Sequence, residues 1–264
     1  MAEILVTGGN GLLGTAVLAR LGCRATGMDL PGLDITDWAS VTKGLKMSEP
    51  SVIINCAALT DVDKCQTNPD RAFLVHRDGV RHLAATGARL VTISTDHVFT
   101  TGDAPITEGA PTHPANLYGE SKLSGELEAL ATGRSAVIRT SWLFGKGKGL
   151  LPWLHSGLIR GAALNVVKDQ TACVTFVPHL VEAIVRIVDS GSTGIFHCVN
   201  PGPVTPLGLA STLRERLGCG TVRAVCWKDL DVPAPRPVYS ALGTTGPFHL
   251  PPLDAAFEEW MESL

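Results

Sequence analysis

The chain has 264 residues, of which 45% are apolar and 18% charged, and its formal net charge is −3. That composition specifies a globular chain with a sizeable core and excludes a disordered one. No run of like charges suggests a nucleic-acid or membrane-surface partner, and no segment approaches the ~20 consecutive apolar residues of a bilayer span.

The first predicted element is a strand in "EILVTG". Met1 to Gly8 is apolar but short and runs into glycines, not a cleavage site, so no secretory leader is read and a cytoplasmic chain is expected. "GLLGTAVLARLG" follows with helical spacing and a glycine stop. "RATGMDL" reads as a second strand, and "TDWASVTKGLKM" as a helix capped by Thr36 or Asp37. "SVIINCAA" is a buried strand. "NPDRAFLVHRDGVRHLAATG" is a long helix with Pro69 in its first turn and Gly87 at its end. "RLVTISTDHVF" is a strand that breaks into polar residues. A helix carrying Tyr118 and Lys122 comes next, then a strand in "SAVIRTSW".

Strands alternating with helices of this length predict right-handed crossovers and a parallel sheet covered on both faces. After Trp142 the rhythm loosens into the glycine-rich "LFGKGKGLLPW". "PHLVEAIVRIVDS" is amphipathic, and "GIFHCVN" is a strand able to rejoin the sheet. The fold class expected is α/β: a Rossmann-like doubly wound parallel sheet with a smaller C-terminal substrate lobe. Residues 1–144 and about 175–200 are assigned to the dinucleotide-binding domain, and about 145–174 and 201–264 to the lobe. The seven cysteines are odd in number and form no CxxC pair, so they read as reduced thiols. The eight histidines show no HxxxH or HxH spacing, and no metal site is expected.

"LVTGGNGLLGTAVL" sets Gly8, Gly11 and Gly14 at three-residue spacing between a strand and a helix. The first permits a tight turn, the second lets backbone approach a pyrophosphate, and the third lets helix and strand pack closely. Asn10, Leu12 and Leu13 belong to the same loop. Asp29, about twenty residues on, would accept from the adenosine ribose hydroxyls and repel a 2′-phosphate. That leans toward NADH over NADPH, with Arg20 and Arg24 near enough in sequence to offset it. Asp34 and Ile35 form either a helix-capping turn or an adenine contact.

A nicotinamide needs a partner that moves a proton while it moves a hydride. Tyr118 is that candidate, and Lys122 shares its helix face at i+4. A nearby ammonium is expected to lower the phenol pKa and to reach the nicotinamide ribose. Ser94 and Thr95 end their strand where open α/β sheets place ligands.

The early TGxxGxxG, the STD segment and the YxxxK helix resemble the extended short-chain dehydrogenase/reductase superfamily. "NCAALTDVDKCQTNPDRAF", "STDHVF", "PANLYGESKLSGE", "RTSWLFGKGKG", "VVKDQ" and "RPVYSAL" together are similar to dTDP-4-dehydrorhamnose reductases and related nucleotide-sugar 4-ketoreductases. The resemblance implies NAD(P)H-dependent reduction of a sugar ketone. It makes Tyr118 the proton donor, Lys122 its tuner and ribose anchor, and Thr95 the carbonyl-side donor. It places Asn55, Cys56, Ala57 and Ala58 along the cofactor and Gln170 in the substrate lobe; Asp96 either shapes the substrate pocket or caps a turn, and Trp142 either meets the sugar or joins the core. Arg236 in "PRP" suits an anionic substrate group. The expected partner is a small molecule, a nucleotide sugar, and a homodimer is left open.

The pattern departs from the family at several places. His97 stands where these reductases carry tyrosine and related 4,6-dehydratases carry glutamate, so it reads as an acid–base group or as a polar wall. His76 replaces the usual asparagine and is expected to pack or cap inside its helix. "GLLPWL" and "TACVTF" replace the family's usual substrate-side residues. The alternatives kept open are a ketoreductase acting on a non-nucleotide metabolite, a 4,6-dehydratase or epimerase, and a non-catalytic regulatory subunit like the β subunit of methionine adenosyltransferase.

Overall fold

The computed structural model describes residues 3–264. Its first half runs β1 (Ile4–Thr7), α1 (Leu12–Leu21), β2 (Ala25–Met28), α2 (Trp38–Ser48) and β3 (Val52–Asn55). Next come α3 (Val62–Thr67), α4 (Pro69–Phe73) and α5 (Gly79–Ala85), the last two joined by a wide π turn over Leu74–Asp78. β4 (Arg89–Thr95), α6 (Leu117–Leu130) and β5 (Ala136–Thr140) complete this half. The second half comprises β6 (Leu143–Phe144), α7 (Leu150–Ile159), β7 (Ala163–Val167), β8 (Ala172–Phe176), α8 (Val177–Ser190), β9 (Gly194–His197), β10 (Asn200–Val204), α9 (Pro206–Leu217), β11 (Thr221–Val225) and α10 (Leu253–Glu262).

Six strands form the main sheet in the order β2-β1-β3-β4-β5-β9, and every pairing is parallel. The chain steps outward from β1 to β2, then returns to the other side of β1 as β3. That reversal opens a crevice at the strands' carboxyl ends. β1 shows why the sheet is covered twice. Ile4 and Val6 enter one core with Val17 of α1 and Ile184 of α8, while Leu5 enters the other with Val41 of α2 and Leu83 of α5. Alternate side chains of a strand point to opposite faces, so an all-apolar strand needs two apolar layers.

Local signals set the element ends. Asp37, and not Thr36, caps α2 by accepting from the backbone N–H groups of Ala39 and Ser40. Asn116 caps α6 by accepting from Gly119, which puts Tyr118 in that helix's first turn. The predicted long helix from Pro69 is present but widened at the π turn, and Gly87 ends it at φ 92°. "GIFHCVN" does rejoin the sheet, as β9 beside β5.

The second half holds more regular structure than its prolines and glycines suggest. β10, β8 and β6 form one small sheet, and β11 and β7 another. A separate core of Phe144, Leu154, Val174, Leu213, Phe257 and Trp260 binds them to α7, α9 and α10.

Candidate active site

The glycine loop is shaped by close approach. Gly8 sits at φ 68°, and a Cβ there would come within 2.6 Å of the Ala57 nitrogen. A Cβ on Gly14 would meet the Gly8 carbonyl at 2.2 Å. Only glycine fits either position without moving backbone. α1 begins at Gly11 with no side-chain cap and no acidic residue in its first turn. Its first N–H groups and positive dipole end therefore face outward, ready for an anion. Asn55 fixes the next strand end. It accepts from the Thr7 hydroxyl at 2.7 Å and from Ala57 N–H at 3.2 Å, and donates to the Thr92 hydroxyl at 3.1 Å.

A cavity of about 610 Å³ runs from this loop across the sheet's carboxyl edge. It brings together Gly11, Leu12, Leu13 and Gly14 with Cys56, Ala57 and Ala58, then Ser94, Thr95, Asp96 and His97, and then Tyr118, Lys122 and Trp142. Gly8 and Asn10 belong to the loop but do not line the cavity. Asp29 stands at the open end of β2 and accepts from Asn10 N–H at 3.0 Å and Leu30 N–H at 2.8 Å. Arg20 and Arg24 do not offset it: they are paired with Glu182 and Asp189 on α8.

Other expected positions lie outside the cavity. Asp34 accepts from the Thr36 hydroxyl and N–H within its own turn, and Ile35 is buried in the core. Gln170 is buried and accepts from the Trp227 indole at 3.0 Å. Arg236 makes a two-pronged ion pair with Asp63 at 3.0 and 2.9 Å, with its guanidinium 4.9 Å over the Trp227 ring.

Tyr118 lines the cavity beyond the glycine loop. Thr95 lines the same end of the cavity; its hydroxyl donates to Asp96 Oδ1 at 3.2 Å and accepts from His97 N–H at 3.2 Å. Two histidine rings meet the Tyr118 ring nearly at right angles, His76 at 5.6 Å and His97 at 5.4 Å. His76 is buried. Its Nε2 accepts from Leu59 N–H at 3.0 Å, so Nδ1 carries the proton and donates to Ser121 Oγ at 2.8 Å. Ser121 in turn donates to the Tyr118 carbonyl. Burial pushes the His76 imidazole down to about 2, so it stays neutral.

Asn116 fixes the tautomer of His97. Its oxygen takes the Gly119 N–H, so its amide nitrogen donates to the Pro235 carbonyl at 2.8 Å and to His97 Nδ1 at 3.1 Å. The neutral ring then carries its proton on Nε2, which has no partner among the described residues. Burial lowers the His97 pKa and the Arg236 charge acts with it, against Asp96. His97 is a neutral N–H donor on the cavity wall.

The expected electrostatics of Tyr118 need correction. Burial holds the phenol well above the usual tyrosine range, with the nearby Thr95 hydroxyl working the other way and Asp96 adding to the rise. The Lys122 ammonium does not lower it. That side chain is buried, donates to the Ile93 carbonyl at 2.5 Å, and is itself pushed down to about 8 by burial, against the charge of Glu126. A phenol of high pKa is fully protonated near neutrality, the form a proton donor needs. Below Lys122, Glu126 takes the Ser94 hydroxyl at 2.5 Å and a forked ion pair from Arg139.

Thr60, Val62, Ile93, Thr140, Ser141, Leu143, Lys148, Gly149 and Leu150 also line the cavity. None was singled out from sequence as a functional residue. Trp142 was, but its backbone gave no warning: φ is 28°, strained for so bulky a residue. Among the described residues no group of three or more His, Cys, Asp or Glu side chains is placed to hold a metal ion, and no helix is long and apolar enough to cross a membrane.

Comparison with known proteins gives this geometry its relatives. A family model described as the RmlD substrate binding domain matches residues 1–260. The chain is 36% identical over 261 residues to a dTDP-4-dehydrorhamnose reductase of Mycobacterium tuberculosis, covering 92% of this chain and 85% of that one. A solved dTDP-4-dehydrorhamnose reductase from Clostridium acetobutylicum superposes with a TM-score of 0.92 at 32% identity, covering 98% of both chains. One from Bacillus anthracis, solved in complex with NADP, superposes at 0.93 with 29% identity over 100% of both chains.

Proposed function

The chain belongs to the RmlD substrate-binding-domain family, and from that premise we propose that it is an NAD(P)H-dependent reductase of the 4-keto group of a nucleotide-activated deoxysugar. The single observation that carries this reading is the continuous cavity. It joins an uncapped helix N-terminus at Gly11 to Tyr118 and Thr95.

A dinucleotide fits the donor set. Backbone N–H groups of the Gly11–Gly14 turn suit a pyrophosphate. Asp29 suits the adenosine ribose, and Lys122 the nicotinamide ribose. NADH or NADPH supplies the hydride when bound. The residues of this chain do the rest. Thr95 and Tyr118 flank one place where a carbonyl oxygen can sit. Tyr118 donates its proton to that oxygen as negative charge develops, and Thr95 steadies it by hydrogen bonding. His97 Nε2–H and Asp96 border the polar side of the cavity and are assigned to sugar hydroxyls. Trp142 packs partly against the second core while lining the cavity, and is assigned to the sugar's apolar face. We assign residues 145–174 and 201–264 to the substrate lobe. Arg236 reaches a substrate phosphate only by leaving Asp63.

A dehydratase or epimerase needs a second titrating group. A neutral His97 whose Nδ1 is already engaged does not serve as one, which favours simple reduction. A diphosphate-linked sugar does not cross a bilayer unaided, so the enzyme is placed in the cytoplasm.

The test is NADH and NADPH oxidation with a dTDP-4-keto-6-deoxyhexose, using Tyr118→Phe as control. The variant is expected to bind cofactor normally and to lose on the order of 10²–10⁴ in kcat. Wild-type turnover in the variant overturns the assignment of Tyr118, and cofactor binding without any turnover in the wild type overturns the substrate class.

A further inference from the structure

Arg236 does not line the cavity. It stands in the stretch between β11 and α10, and its partner Asp63 is on α3, 173 residues earlier. Both prongs of the guanidinium go to the Asp63 carboxylate, at 3.0 and 2.9 Å. The same carboxylate accepts from Ala234 N–H at 3.1 Å, and Arg236 also donates to the Ala234 carbonyl at 2.7 Å. Trp227 covers the guanidinium and is itself held, its indole donating to Gln170 and its backbone N–H to Asp169. A two-pronged pair fixes direction as well as distance. Residues 234–236 are therefore clamped onto α3.

The middle residue of that clamp reaches the cavity wall. The Pro235 carbonyl accepts one Asn116 amide hydrogen at 2.8 Å, and His97 Nδ1 accepts the other at 3.1 Å. The Asn116 oxygen is taken by Gly119 N–H at 2.9 Å. Turning the amide over would set its oxygen against the Pro235 carbonyl, so the clamp decides which way Asn116 faces. His97 Nε2 has no partner among the described residues, yet it is not one of their buried unpaired atoms, so it keeps accessible surface. The rest of His97 is buried and the residue lines the cavity, so that surface opens there. We propose that Arg236 is a positioning residue: paired with Asp63, it holds Pro235 on Asn116 and so fixes His97 with its N–H toward a polar group of the substrate. A donor set in advance loses no rotamer freedom when the substrate arrives. This rests on the reductase reading above, and it gives Arg236 to His97 instead of to a phosphate.

The test is Arg236→Gln, alone and combined with His97→Phe. The single variant is expected to raise the KM for a dTDP-4-keto-6-deoxyhexose on the order of ten-fold, the scale of one lost hydrogen bond, with kcat within a few-fold. On the His97→Phe background the same change should add less than about two-fold, because residues acting through one contact are not additive. An equal rise on both backgrounds would overturn the proposal. Weaker binding of dTDP alone would put the guanidinium on a phosphate and overturn it as well. Asn116→Ser covers the case in which Arg236→Gln does not fold. It keeps a capping oxygen for Gly119 and removes both amide donors. It should give the same KM rise and the same dependence on His97, and an unchanged KM there would overturn the proposal. Imidazole nitrogen NMR of the unliganded protein, assigned with His97→Phe, should show a proton on Nε2 and a shift of Nδ1 in both variants. An unmoved Nδ1 would overturn the clamp. A wild-type protein that reduces no ketone would overturn the reductase reading, and the NMR result would still decide the clamp.

Discussion

The rings of His97 and Tyr118 stand 5.4 Å apart and 83° from parallel. The contact sets the phenol proposed as proton donor against a neighbour whose pKa burial lowers. His97→Gln keeps a side-chain N–H at the wall and should hold kcat within a few-fold. His97→Phe should raise the KM for the ketone on the order of ten-fold, the usual scale for one lost hydrogen bond to a polar substrate. Steady-state kinetics across pH 5–7 check this. An ionisation that vanishes in the Gln variant would make His97 an acid–base group.

Lys122 is expected to give the reaction its pH dependence. Its buried ammonium titrates at about 8, against about 10.4 for a lysine in the unfolded chain. The charge available to a ribose is therefore lost in the free enzyme as pH rises through about 8. We expect kcat/KM to fall above that point, and Lys122→Arg to move the fall out of range because guanidinium stays charged. The stability effect has the opposite sign. Between about 8 and 10.4 the unfolded chain holds the extra proton, so this group's contribution to stability rises with pH across that window.

Glu126 and Arg139 form an ion pair whose side chains are 2% and 3% exposed. Glu126→Gln strands a buried guanidinium and should cost about 3–5 kcal/mol, a fall in melting temperature on the order of 10 °C. It also removes the one carboxylate that supports the Lys122 ammonium, so the downturn in kcat/KM should move to lower pH. A thermal melt and a pH profile on the same sample separate the two effects.

Asp29 keeps its carboxylate at the open end of β2 while Arg20 and Arg24 are tied to α8. NADH should therefore be the better reductant. Asp29→Ala should shrink the NADH-to-NADPH ratio of kcat/KM on the order of ten-fold, the equivalent of one charge-assisted contact. An unchanged ratio would show that the ribose is read elsewhere.

The first half of the fold was legible because its strands and helices have separate periods. Glycines at 8, 11 and 14 also carry a steric meaning that survives in one dimension. The second half was harder. "LLPWLHSGLI" is apolar nearly all round, so it shows no face, and α9 begins in a proline-rich run that reads as loop. The i+4 spacing correctly put Lys122 on the Tyr118 helix face, but spacing says nothing of burial, and burial reversed the expected direction of the tyrosine shift.

The last strand to join the main sheet, β9, is made only after β6, β7, β8 and their helices have left it. A fragment ending near Phe144 would therefore expose the whole β5 edge, five residues that are all buried in the intact chain. Such a bare edge, with its unpaired N–H and C=O groups, invites pairing with another copy, so the fragment should aggregate instead of standing alone as a cofactor-binding module. Grafting residues 145–174 and 201–264 onto another reductase would need two seams, one on either side of the α8–β9 return, cut and rejoined together.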